Sequence, residues 1–352
     1  MTALRAANDD LENLLEAAGP AYFARYVSPA IKEIKGMLAG PDEAIDLARA
    51  NLLVASEIPE FQDLNVDKVL AEIDAITDTV RRETERCRYM FDQHPEKFFG
   101  HVEAYRMNIL GIVIRDDLKI RYKEGKLDYG DPRVLFLNGL LEQREGTCVS
   151  MPTLYLVVGL RLGYPLHGVI VGDHTFLRWD DGSYRQNIEA TGAGFGGPDE
   201  EYIRDMGATP AQLKNSCWMK NLSRKQVIGS FLQIRSVYWM RKGRLVRARV
   251  DLARAAQTVG DDPYIVSNIR QVDGLLARYS QPEGSQEPPL VYRNTPPDIV
   301  GPTLPQPVTP LGTPVPGPIN RVAPGVYPLT APVPGRAPGG PAQPGRGIPS
   351  VP

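Results

Sequence analysis

With 352 residues the chain is long enough for two or three modules, each with a core of its own. It is 42% apolar and 23% charged, as ordinary globular proteins are, and its net charge of -2 argues against nucleic acid or an anionic membrane surface as a partner. Cys87, Cys148 and Cys217 are far apart and form no CxxC pair, which favours reduced thiols over a disulfide framework. There is no basic leader followed by an apolar segment and no apolar run of membrane-spanning length, so the expectation is a soluble, cytoplasmic protein.

In chain order, Leu4, Leu11, Leu14 and Leu15 fall at helical spacing before a break at Gly19-Pro20, and a second helical pattern covers about 28–39. Asp42 and Glu43 stand near the start of the next, Ala44 to Leu53, where they suit its dipole, and Pro59 closes it. Val66, Val69, Leu70, Ile73, Ile76 and Val80 make one face of a further helix. Residues 1–94 therefore read as a helical N-terminal region. Beyond Pro95 come a helix over Val102 to Val113, a polar loop over Lys123 to Gly130, and a helical stretch leading to Glu145.

The chemistry concentrates between Gly139 and Thr191. Cys148 follows a Glu-Gly-Thr turn and precedes an apolar helix, Leu154 to Leu162, that ends at Gly163 with Pro165 just beyond. Val169 to Val171 is a short β-branched run, and His174 heads a strand continuing over Thr175 to Trp179. Asp181-Gly182 signals a two-residue hairpin, and the return strand is Tyr184 to Glu189. A helix N-terminus and an imidazolium together lower the pKa of a thiol, and the imidazole needs an acceptor on its other nitrogen to fix its tautomer. With a two-residue turn, Glu189 falls opposite His174 and Asn187 opposite Phe176. Both share the face of His174; direct opposition leans towards Glu189. Gln143, five residues before Cys148, is a candidate oxyanion donor alongside the Cys148 N–H, although a solvated helix-face Gln explains it more simply.

Metal binding gets no support, because His94, His101, His167 and His174 are not at ligand spacing with Cys or carboxylates. The Gly-rich run 192–197 lacks the Lys-Ser/Thr ending of a phosphate loop and leads into acidic residues, so it reads as a mobile loop bordering the cleft. No cofactor is expected.

Glu145-Gly-Thr-Cys148, a helix, Gly163-Tyr-Pro165, a strand, Asp173-His-Thr-Phe-Leu-Arg-Trp179 and Asn187-Ile-Glu-Ala-Thr191 together resemble the transglutaminase-like cysteine hydrolase superfamily. Within it the likeness is to the bacterial SirB-type group with TPR-like C-terminal helices, whose helical N-terminal part the stretches around 47–61 and 64–77 also resemble. The resemblance implies a papain-like α+β core over residues 95–215 with Cys148, His174 and an acid as its triad. The acid is Glu189 here, where the superfamily usually has Asp in an Asp-Pro-Thr-like pattern.

Asn221 to Tyr279 then gives three helical stretches. Tyr238, Arg241, Gly243, Leu245, Ala248, Asp251, Ala253 and Pro263 look like one TPR-type helix hairpin within residues 216–280, which must dock on the core because a single unit cannot bury its own face. Arg241, Lys242, Arg244, Arg247 and Arg249 read as a solvated face and not a nucleic-acid patch. Residues 281–352 hold most of the chain's 32 prolines and read as a disordered tail, a tether whose near-repeats from Pro314 and Pro332 could meet a proline-binding groove.

The expectation is thus an α+β protein with a transglutaminase-like core, helical flanks and a Pro-rich tail. The resemblance implies thiol-dependent acyl transfer on a peptide or amide substrate, by hydrolysis or onto an amine. The alternative is a non-catalytic adaptor that binds a protein partner through the TPR-like helices or the tail.

Overall fold

Capped helices with apolar faces build the first half of the molecule. The structure, a computed structural model, describes residues 28–123, 128–191, 194–260 and 262–279. The helix expected from Leu4 to Leu15, the centre of the Lys123–Gly130 loop, Gly192-Ala193 and the Pro-rich tail lie outside these residues.

Helix α1 (Pro29–Ala39) starts at Ser28, whose hydroxyl accepts the Ile31 N–H, with Pro29 in the first turn. Helix α2 (Leu47–Ser56) is capped by Asp46, which accepts the Ala48 and Arg49 N–H groups. It is buried almost all round and packs against elements from both halves of the chain, so it is the axis of the core. Asp42 and Glu43 do not begin this helix, as expected from sequence. Residues Asp42–Ala44 form a separate 3-10 turn, and the Asp42 carboxylate accepts the N–H groups of Arg224 and Lys225 instead. An acid does meet a helix N-terminus there, but it belongs to a C-terminal helix.

Helix α3 (Val66–Arg86) buries Ile73, Ile76, Thr77 and Val80. It is followed by α4 (Arg88–Gln93) and by α5 (Val102–Ile112), which continues into a π turn, Val113–Asp117. A short parallel pair joins β1 (Arg121–Tyr122) to β2 (Glu145–Gly146). Between them lies α6 (Leu137–Gln143), whose first N–H, from Leu137, is accepted at 3.0 Å by the buried Asn51 of α2. That bond gives the polar residue of a buried helix its partner.

Helix α7 (Ser150–Arg161) lies against an antiparallel sheet ordered β3 (Leu166–Val171), β4 (His174–Asp180), β5 (Arg185–Glu189), β6 (Gly194–Phe195). Gly194 and Phe195, expected in a loop, pair with Glu189 and Ile188 instead. Beyond the sheet come α8 (Asp199–Asp205), α9 (Pro210–Asn215), α10 (Arg224–Arg241), α11 (Leu245–Val259) and α12 (Pro263–Tyr279).

Helices α10 and α11 form an extensive antiparallel pair, and α10 docks on α2. Arg235 is the rivet of that junction. It is fully buried, grips Asp251 of α11 with two bonds of 2.7 Å, and donates to the Val54 carbonyl and the Glu57 carboxylate of the α2 end. The expectation of a solvated basic face on this hairpin needs correction. Arg249 is buried and paired with Asp273, and the Arg247 guanidinium lies over the Trp239 ring, while Lys242 and Arg244 are exposed.

Candidate active site

Cys148 sits two residues ahead of α7, held by a local hydrogen-bond knot. The Thr147 hydroxyl accepts the Val149 N–H and donates to the Val134 carbonyl, while the Ser150 hydroxyl accepts the Thr147 N–H and donates to the same carbonyl. The turn is tight. A Cβ on Gly146 would come within 2.6 Å of the Leu140 and Met151 side chains, so a larger residue in the Glu-Gly-Thr-Cys turn would have to push them aside. The thiol is buried, on the lip of the helix and not inside it.

His174 is the first residue of β4, delivered by a two-residue hairpin, Gly172-Asp173, in which Gly172 has φ +59°. The expected two-residue turn at Asp181-Gly182 is a four-residue loop instead, because Asp180 pairs with Arg185. Asp181 holds it open: its Oδ1 accepts the N–H groups of Ser183 and Tyr184 and the Ser183 hydroxyl, and these bonds hold its carboxyl well below the usual range. The register slips by two residues, so every side chain keeps its face. Continued along the pair, it sets Glu189 level with Phe176 and diagonal to His174. A diagonal separation of roughly 7–8 Å is one that long side chains bridge, which is a physical reason for Glu where a shorter acid would fall short. The His174 Nε2 to Glu189 Oε1 distance is 2.8 Å.

Asn187, the other candidate, is not at His174. It faces Arg178, accepts the Arg178 Nε–H at 2.8 Å, and donates to Gly197 O and Asp199. Arg178 also donates to Asp199, to the Met219 carbonyl and to Asn221, so this buried pair ties β4 and β5 to the start of α8 and to the segment before α10. Gln143 ends α6, half-buried, and does not line the cavity that Cys148 and His174 share.

Three residues not foreseen from sequence complete the site. Tyr202 of α8 donates from its hydroxyl to Glu189 Oε1 at 2.9 Å, and Thr191 donates to Oε2 at 3.2 Å. The Tyr202 ring stacks on Phe176 at 4.1 Å, and the His174 ring lies nearly parallel at 5.9 Å from both. Burial and the Glu189 charge push the Tyr202 phenol up, so it stays a donor. Tyr129 lines the cavity, and its hydroxyl is buried without a hydrogen-bond partner. Nothing in the local sequence marks Tyr202 or Tyr129, since both reach the site only through tertiary packing.

The electrostatics favour a charged imidazole. Burial opposes this, but Cys148 and Glu189 outweigh it and raise the His174 pKa to about 10. Nδ1 is buried and has no hydrogen-bond partner among the described residues, and Cys148 lines the same cavity. A raised pKa means the proton is kept as pH rises past the ordinary value near 6.5 and released only near 10. Nitrogen-15 NMR of the imidazole is expected to show His174 as imidazolium at pH 8, and Glu189→Gln to move the midpoint down. A neutral ring at pH 7.5 in the wild type would contradict this. The other two thiols lack such a partner: burial raises the pKa of both, and Cys217 lies beside the Asp262 carboxylate.

Among the described residues no cluster of three or more His, Cys, Asp or Glu side chains could hold a metal ion, and no helix is long and apolar enough to cross a membrane.

A family model described as the transglutaminase-like superfamily matches residues 67–204. F-box only protein 21 of Homo sapiens is 24% identical over 163 residues, which cover 44% of this chain and 25% of that protein; the Mus musculus protein matches to the same extent. A UPF0162 protein of Xylella fastidiosa (strain Temecula1) is 29% identical over 143 residues, covering 40% of this chain and 45% of its own. The chain thus spans less than half the length of each of these relatives. No solved structure matches it. The matched segment runs from α3 to α8 and contains Cys148, His174, Glu189 and Tyr202, so residues 67–204 of this chain are a transglutaminase-like superfamily domain.

Proposed function

We propose that this protein is a thiol-dependent acyl-transfer enzyme in which Cys148 is the nucleophile, His174 the base and Glu189 the residue that orients the base. Domains of this superfamily are generally thiol-dependent acyl transferases or proteases. The observation that carries the reading is the bond that His174 Nε2–H donates to Glu189, which leaves Nδ1 without a partner among the described residues in the cavity lined by Cys148.

In the proposed reaction the Cys148 sulfur attacks an amide carbonyl while His174 Nδ1 holds the thiol proton. The C–N bond then breaks, the proton passes to the leaving amine, and a thioester remains on Cys148. Water attacks the thioester, giving its proton to His174 and releasing the acid, and the proton returns to sulfur. An amine in place of water gives the transferase outcome. Negative charge on the carbonyl oxygen needs donors. The Cys148 N–H is one, and the buried, unpartnered Tyr129 hydroxyl supports a role as the second in place of Gln143. The Tyr202 hydroxyl shares Glu189 Oε1 with His174, and so steadies the carboxylate without competing for the reacting proton.

The test is to mix the full chain with p-nitrophenyl acetate and locate the acyl group by peptide mass. An acetyl group on the Cys148 peptide, formed faster than on those of Cys87 and Cys217, supports the reading. Equal labelling of the three would remove it.

A further inference from the structure

We infer that the cavity beside Cys148 selects a short, uncharged, apolar acyl group. For its chemistry this rests on the acyl-transfer reading above; for its selectivity it rests on the cavity.

The cavity runs from the thiol and imidazole into a wedge between α7, the β3–β4 hairpin and α10. Leu156, Leu177, Phe231, Ile234 and Val237 form its inner walls. The volume open to the centre of a water molecule is about 70 Å³. At roughly 10–15 Å³ for each water-sized position, that is about five to seven such positions, the scale of a short acyl chain. The size suits a leucine side chain or the carbons of a butyryl to hexanoyl group, and is too small for a long lipid tail. Among the described residues no Lys or Arg lines the cavity, its carboxylates are Asp173 and Asp262, and its one cation, His174, is already paired with Glu189, so an acyl group carrying its own negative charge would meet no free cation among them. Among the described residues, the polar side-chain group buried and unpartnered on its wall, besides His174 Nδ1, is the Tyr129 hydroxyl. An apolar chain with a single carbonyl at its thiol end would satisfy both the walls and that hydroxyl.

Ser230 offers a plug. It is half-buried on the α10 wall, and its hydroxyl bonds only to the carbonyl of Gln226 one turn earlier, so Ser230→Phe fills space without removing a tertiary bond. Ile234→Ala does the opposite and lengthens the pocket.

The experiment uses the full chain and p-nitrophenyl esters of acetate, butyrate, hexanoate and decanoate, with the ester of N-acetyl-leucine as the peptide-derived arm. In each case the Cys148 S–C bond forms, the ester C–O bond breaks, nitrophenolate leaves with the electron pair, and His174 keeps the proton it holds from the thiol. The burst rate of nitrophenolate is divided by the rate with N-acetylcysteine. The ratio is expected to rise about fourfold per methylene from acetate to hexanoate and to fall at decanoate. Ser230→Phe should flatten the rise, and Ile234→Ala should move the optimum towards decanoate. A leucine ester that matches hexanoate assigns the pocket to peptide side chains, and one that lags assigns it to unbranched acyl donors; both sustain the inference. A flat profile in the wild type, or one that neither variant changes, overturns it. If no ester acylates Cys148, the acyl-transfer reading fails. The pocket is then judged by titrating acetamide, hexanamide and decanamide into Cys148→Ala. Preference for hexanamide, lost with Ser230→Phe added, keeps the pocket, and its absence ends it.

Discussion

Cys148→Ala is expected to abolish acyl transfer, by about 10⁴-fold or more, because no other group in the cavity can form the thioester. The fold should survive. The thiol makes no hydrogen bond on which the turn depends, since Thr147 and Ser150 hold that segment through Val134, and losing one buried sulfur costs about 1 kcal/mol. The measurement is the acylation burst set beside thermal melting. His174→Ala should also lose the burst, and the double variant should be little worse than either single one, because the pair acts as a unit. A Cys148→Ala protein that keeps full turnover would place the chemistry elsewhere. Undiminished partner binding with no turnover in the wild type would instead point to an adaptor.

The largest stability effect is expected at Arg235. Its guanidinium has four short bonds and almost no exposure, and the Asp251 it grips is equally buried. Arg235→Ala leaves the Asp251 carboxylate desolvated, with Arg254 the remaining cation at 3.9 Å, and is expected to cost about 3–5 kcal/mol. Lys should not rescue it, because a point charge cannot reproduce the forked pair of bonds to Asp251. Removing both charges with Arg235→Met and Asp251→Leu should recover most of the loss. Urea unfolding gives each value. A loss below about 1 kcal/mol for Arg235→Ala would mean the junction between α2, α10 and α11 is open to water.

The order of helices and strands around the site was legible because apolar periodicity, Gly163-Tyr-Pro165 and the β-branched run Val169–Val171 are local signals. Their bounds fall close to α7, β3, β4 and β5. The face shared by His174 and Glu189 was legible too, since a slip of two residues preserves parity even though the turn at Asp181 was misread. That misreading has a local cause, the three bonds to one carboxylate oxygen that hold a four-residue loop where Asp-Gly suggests two. What stayed hidden depended on distant partners. Asn187 and Glu189 have equivalent places in the strand pattern, and the bonds that hold Asn187 to Arg178 and Asp199 come from tertiary partners that the pattern does not show. Asp42 serves the helix at Arg224 rather than the one beside it, and no pattern within a window of twenty residues can show that.

The most direct measurement is the rate of iodoacetamide alkylation at Cys148, read by peptide mass at pH 7 in wild type and in His174→Ala, with Cys87 and Cys217 as internal references. A thiol activated by an imidazolium that Glu189 holds should react at least about tenfold faster in the wild type than in the variant, and faster than both reference thiols. Equal, slow alkylation of Cys148 in the two proteins would contradict the account and leave it a structural cysteine.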